Sequence, residues 1–233
     1  MESRELAIQV VVAVADAAAS LKGPGAGAVA TVLSPFAIDA LGRISDTLGR
    51  RRLNHGAETL EDGAEAYGAK TPEEFAAFVE AAISDAEHQE LLARALTIAQ
   101  DTAMRDKRRA LGRALASAAG DTGTEVDEEL LFIRVLDELD EPHVRLLRLM
   151  NTAPPSLEDI NRVQRLDVGL PPIRQWHPPE IAQVDPGLAE VMWGLLPVLN
   201  RLRLIDGNEA EYTITPYGEW ILTRLAAPAE QTS

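Results

Sequence analysis

A mainly α-helical fold, with β-structure confined to one small hairpin near the C-terminus, is predicted by three features of the sequence. Only 4% of the 233 residues are aromatic while alanine is abundant. Sheets favour β-branched and aromatic side chains, so this composition points to helices packed closely through small residues. Helix-start signals recur, the clearest being Thr71-Pro72-Glu73-Glu74. There the threonine accepts from free backbone amides, the proline suits the first helical position, and the carboxylates favour the positive end of the helix dipole. Finally, the stretch 202–214 reads as strand, tight turn and returning strand.

Taken in order, Leu6 to Leu21 is Ala- and Val-rich and reads as a helix of limited amphipathicity, broken at Gly23-Pro24-Gly25. The chain is then uncharged up to Ile38, after which Asp39, Arg43 and Asp46 mark a second helix closing at Gly49-Arg50-Arg51-Arg52. Residues 1–52 are thus expected to form an apolar helical hairpin packed on the body. A membrane-seeking element is the second reading, since tight Gly and Ala packing also suits helix contacts in lipid. Charges nevertheless interrupt the roughly 20 apolar residues that a span requires.

Asn54 to Lys70 is rich in Gly, Glu and Ala with little periodicity, and reads as a frayed helix or a connecting loop. Thr71 opens a helix through Ile83. Ser84 and Glu87 form a capping-box pattern for a longer helix running to about Ala118, and Gly120 to Gly123 supplies a turn. The next helix, Glu125 to Leu139, is expected to bury Leu131, Phe132, Val135, Leu136 and Leu139.

A boundary near Asp140 gives a helical domain over 53–140, a second domain over 141–226 and a disordered tail over 227–233. The second domain opens on a helix with Val144, Leu146, Leu147 and Met150 as its apolar positions, followed by a capping-box pattern at Ser156 to Asp159. Pro171-Pro172 and Pro178-Pro179 bracket Trp176 in what reads as a long loop. Gly187 to Asn200 reads as a helix lined by Leu188, Val191, Met192, Leu195, Leu196, Leu199 and Leu202. Leu202 to Asp206 reads as a strand, Gly207-Asn208 as a turn and Tyr212 to Ile214 as the returning strand. That outline is winged-helix-like, and Trp176, Trp193 and Trp220 are expected to anchor its core.

The composition excludes several classes of function. With no cysteine there is no disulfide, thiolate metal site or cysteine nucleophile, which fits a reducing compartment. The first residues lack the positive start of a signal peptide, so the cytoplasm is the expected location, with membrane association through residues 1–52 as the extension. His55, His88, His143 and His177 are scattered without ligand spacing, so no metal is expected. Gly23-Pro24-Gly25-Ala26-Gly27 lacks the Lys-Ser/Thr ending of a phosphate loop. No catalytic residue, cofactor or small-molecule substrate is indicated. The few lysines beside many arginines and alanines suit a GC-rich bacterial or phage genome.

Two basic clusters and one basic helix end are candidate contact sites. Arg105, Arg109 and Arg113 fall on one helix face, with Lys107 and Arg108 adjoining, opposite Leu111, Ala114, Leu115 and Ala118. This stripe suits phosphate, or it is a solvated face balanced by Asp127, Glu128 and Glu129. Arg50, Arg51 and Arg52 suit lipid headgroups, or form an exposed helix end. The helix that would read DNA has only Arg201 and Arg203, at the end that does not enter a groove, while Glu209 and Glu211 in the wing and a net charge of −15 repel phosphate. A packing or partner-binding role follows; the alternative is a DNA-binding transcriptional regulator using Arg105, Arg108, Arg109, Arg113, Arg201 and Arg203.

Three stretches carry a family resemblance: Leu111-Gly-Arg-Ala-Leu-Ala-Ser-Ala118, Phe132 to Met150 with Leu-Asp-Glu-Leu-Asp-Glu-Pro at its centre, and Leu202-Arg-Leu-Ile205 with Tyr212-Thr-Ile-Thr-Pro-Tyr-Gly218. In these the chain resembles the abortive-infection alpha family of bacterial phage-defence proteins. The resemblance implies a host-defence or phage-exclusion role and brings no catalytic residues. The expectation is a non-enzymatic protein acting in phage defence or phage–host interference through a protein partner or self-association, with a membrane-active N-terminal hairpin as an extension.

Overall fold

The computed structural model of the protein describes residues 35–120, 124–157 and 174–226. Among these the fold is mainly helical with one small antiparallel sheet, as the composition requires. The expected helix over 6–21, the Ser156 to Asp159 cap as a whole and the tail over 227–233 lie outside the described residues. Two compact units divide between Asp137 and Glu138.

In the first unit, α1 is a single helix of 33 residues, Pro35–Tyr67, running straight through Arg50 to Arg52. The expected helix end at Gly49 to Arg52 and the frayed segment after it are therefore corrected. The segment is helical because Gly56, Ala57, Leu60, Gly63 and Ala64 form a buried stripe at helical spacing. Its periodicity is one of side-chain size, which hydrophobicity barely registers. The helix stops at Gly68, whose φ of 93° suits glycine. There the amides of Gly68 and Ala69 donate to the carbonyls of Glu65 and Ala64, a Schellman ending.

Helix α2, Pro72–Ala81, has the expected capping box: the Glu74 amide donates to Thr71 Oγ1 at 3.2 Å and the Thr71 amide to Glu74 Oε2 at 3.0 Å. Its Phe78 ring lies 5.4 Å from that of Tyr67 and 6.4 Å from that of Phe75. Helix α3, Ala86–Asp101, is capped by Asp85 rather than Ser84. The single long helix to Ala118 is also corrected, because the chain leaves helical geometry at Thr102 and restarts as α4, Arg105–Gly120. Neither proline nor glycine marks that break. Thr102 Oγ1 accepts from the Met104 amide, and Arg108 Nη1 donates back to the carbonyls of Thr102 and Ala103. Helix α4 packs along α1 and α3. Helix α5, Thr124–Glu138, buries Ile133 with Phe132, Val135 and Leu136, while Leu131 is exposed, so the inward face is rotated from the expected one.

In the second unit, α6 (Glu141–Met150) buries Val144, Leu146, Leu147 and Met150 as expected. The stretch read as a long proline loop contains strand β1, Gln175–Trp176, a correction to that reading. It is followed by α7 (Pro178–Val184) and α8 (Pro186–Ala189). Helix α9 (Met192–Arg201) starts later than expected, leaving Val191 exposed. Strands β2 (Ile205–Gly207) and β3 (Tyr212–Ile214) form the hairpin, and α10 (Pro216–Ala226) closes the unit. The sheet order is β1-β3-β2, all antiparallel, with Trp176 opposite Tyr212 and Ile205 opposite Ile214.

The hairpin is fixed to α10 by Thr215, whose hydroxyl donates to the Arg203 carbonyl at 2.7 Å and accepts from the Gly218 amide at 3.0 Å. Gly218 lies against the Leu204 carbonyl with no room for a Cβ. The Thr-Pro-Tyr-Gly run is thus a helix cap followed by a close backbone crossing. Trp176 is buried and its Nε1 donates to the Thr152 carbonyl at 3.0 Å. Trp193 is 55% exposed, so it does not anchor the core. Trp220 is half-buried, stacked on Tyr217 with Arg224 over its ring.

Candidate functional site

The second unit has an open groove of about 500 Å³ between the hairpin tip and the first residues of α7 and α9. Its walls are local consequences of the sequence. Pro178 and Pro179 occupy the first turn of α7, where a missing amide costs nothing. The His177 amide ahead of them donates to Glu180 Oε2. At the hairpin tip, Gly207 has φ 155°, the Asn208 amide donates to the Glu211 carbonyl at 2.9 Å, and Asn208 Oδ1 accepts from the Ala210 amide. The tip is then tied to α7, since His177 Nδ1 donates to the Ala210 carbonyl at 2.8 Å. Met192 and Trp193 form the α9 side, and Glu209 is the one carboxylate in the lining. The result is a preformed apolar cleft with an acidic edge and an exposed indole.

Sequence reasoning placed Trp193 in the core and so missed this site. The signal was present: Trp193 shares a helix face with Pro197 and Asn200, both exposed, whereas Leu195, Leu196 and Leu199 are buried.

The six arginines proposed for an anionic surface divide between the two units. Arg105, Arg108, Arg109 and Arg113 lie on α4 of the first unit, and Arg201 and Arg203 at the end of α9 in the second. Arg105 and Arg109 are exposed and Arg113 is half-buried. Beside them on α1, the Asp62 carboxyl is pushed up by burial, against the pull of Arg109 and Arg105. Arg108 is buried: it pairs with Glu58 at 3.1 Å and holds the α3–α4 break. Burial, followed by the nearby Arg108 charge, lowers the His55 pKa. Of the acidic residues expected to balance the stripe, Asp127 and Glu128 are exposed and Glu129 is buried.

Arg201 is engaged by both oxygens of Glu138, and this hydrogen bonding lowers the Glu138 pKa and raises that of Arg201. Arg203 is exposed and has φ 61°. Arg51 is exposed, and Arg52 pairs with Asp101 at 3.0 Å. Arg50 falls within α1, its side chain outside the described residues.

Among the described residues, no group of three or more His, Asp or Glu could hold a metal ion, and no helix is long and apolar enough to cross a membrane. No family model, curated protein or solved structure matches the chain.

Proposed function

We propose that the protein acts without catalysis, through protein contacts, and that its second unit is a winged-helix-like module whose groove beside the hairpin receives the partner. One observation carries this reading: the opening residues of α9 offer Trp193 and Val191, both exposed, with Glu190 before them and Glu209 across the groove. A helix that enters a DNA groove does so by its N-terminal residues and needs cations there. This end has none, and Arg201, at the other end, is engaged by Glu138. Exposed tryptophan beside an apolar cleft is instead the composition of a protein-binding hot spot.

The biological setting we propose is phage defence or phage–host interference. It rests on the resemblance of 111–118, 132–150 and 202–218 to the abortive-infection alpha proteins.

Two measurements on the full chain test the reading. Bacteria expressing the wild type should restrict phage plating, and Trp193→Ala should abolish restriction at unchanged protein level. Neither protein should retard duplex DNA at low salt. Salt-dependent duplex binding that is lost in Arg105→Ala/Arg109→Ala would instead establish the regulator reading.

A further inference from the structure

We infer that the groove between the hairpin tip and α9 takes a linear peptide segment in which a large apolar residue is flanked by Lys or Arg. The inference rests on the protein-contact reading above and specifies the chemistry of the partner.

Shape comes first. At about 500 Å³ the open groove has room for a few side chains of one segment, within the roughly 300–1,000 Å³ typical of ligand clefts. The His177 to Ala210 hydrogen bond already ties the hairpin tip to α7, so the hairpin side of the groove needs little ordering on binding.

Charge decides the rest. The apolar lining comprises the exposed Pro179 and Trp193 with the buried Pro178 and Met192 beside them, which calls for an apolar anchor. Glu209 is the single charged residue in the lining, Glu190 and Glu211 lie close in sequence to its two walls, and the chain carries a net charge of −15. An acidic segment, or the same acidic face of a second copy, would be repelled. A cation beside the anchor meets both the Glu209 carboxylate and the face of an exposed indole, where cation–π attraction adds to the ion pair.

The test is an array of random nonapeptides probed with the full chain, followed by titration of labelled hits into the wild type, Trp193→Ala and Glu209→Lys. Retained peptides should carry Lys or Arg next to Leu, Phe, Met or Trp. Trp193→Ala should weaken them on the order of tenfold or more while leaving the protein's charge unchanged, which separates groove binding from general attraction to an acidic protein. Glu209→Lys should weaken them by several-fold, and that loss should shrink as salt is raised.

Trp193-dependent hits that are neutral or acidic would overturn the charge assignment and leave the protein-contact reading intact. Hits indifferent to Trp193 would overturn both, and no hits at all would overturn the peptide proposal, the phage-plating test of Trp193→Ala then deciding the protein-contact reading. Self-association in sedimentation that Trp193→Ala abolishes would assign the groove to a second copy and overturn the peptide proposal.

Discussion

Gly63 of α1 and Gly112 of α4 meet backbone against backbone. A Cβ on Gly112 would sit 2.8 Å from the Gly63 nitrogen and 2.6 Å from the Thr59 carbonyl oxygen, and one on Gly63 would sit 2.9 Å from the Gly112 carbonyl oxygen. Backbone atoms cannot step aside as a flexible side chain does, so this contact sets how closely α1 and α4 approach.

That contact predicts the sign of a substitution. Within a helix Gly→Ala ordinarily stabilises by about 1 kcal/mol. At Gly112 the methyl has to push α1 away, and overpacking of this kind costs about 1–3 kcal/mol, so Gly112→Ala should be destabilising. Urea unfolding of the full chain should show a lowered midpoint, with Gly49→Ala, which meets nothing within 4 Å, as the unstrained control. A stabilised Gly112→Ala protein would mean that the helices do not pack this closely.

A second prediction concerns pH. His88 Nδ1 lies 2.8 Å from Asp85 Oδ1 and Nε2 lies 3.1 Å from the Ala118 carbonyl. Both partners only accept, so the ring satisfies both only when protonated. Burial lowers its pKa, but the Asp85 hydrogen bond and then the Ala118 carbonyl outweigh burial, and the net value is raised above 6.5. The stabilisation is therefore complete below about 6.5 and is lost as pH rises through the folded value. Asp85 is shifted the opposite way, held low first by the His88 amide, so its contribution is lost on acidification. The urea midpoint should fall between pH 6 and 9. His88→Gln should lower it by the equivalent of about 1–3 kcal/mol at pH 6 and flatten the alkaline slope; an unaltered slope would rule out this ring as its source.

Arg203 gives a third. It occupies the position after α9 usually held by glycine: its amide donates to the Asn200 carbonyl, that of Leu204 donates to the Leu199 carbonyl, and its own φ is 61°. A non-glycine residue there costs about 1 kcal/mol. Arg203→Gly should recover part of that and raise the thermal midpoint by a few degrees. A lowered midpoint would show that the arginine side chain contributes more than its backbone strain costs.

How much of this was legible in the sequence depends on where the determining atoms lie. The Thr71 cap, the α6 apolar face and the Tyr212 to Ile214 strand were readable because each is decided within a turn or a few residues. The helix over 54–67 was legible only as either a frayed helix or a loop, since its buried stripe is Gly and Ala around a single Leu60 and its partner, Gly112, lies far along the chain. The break at Thr102 escaped because Arg108, several residues later, holds it open. Strand β1 escaped because a two-residue strand between prolines has no period of its own, and only pairing with Tyr212 and Thr213 creates it. The basic stripe on α4 was legible as a pattern, but not the withdrawal of Arg108 to Glu58.

Trp176 and Trp193, both expected in the core, should respond oppositely to truncation. Trp176 is 1% exposed, pairs opposite Tyr212 in the sheet, and donates from Nε1 to the Thr152 carbonyl. Removing it leaves a large cavity, so Trp176→Ala should cost about 3–5 kcal/mol, a large share of the roughly 5–15 kcal/mol of an ordinary domain. Trp193 has solvent over more than half its surface, and Trp193→Ala should cost on the order of 1 kcal/mol or less. Urea titrations of both variants, followed by circular dichroism, compare the two directly. The contrast matters for function: a tryptophan that contributes little to folding yet faces an apolar cleft is available to a partner. Equal, severe destabilisation by both substitutions would return Trp193 to the core and remove the groove's principal contact.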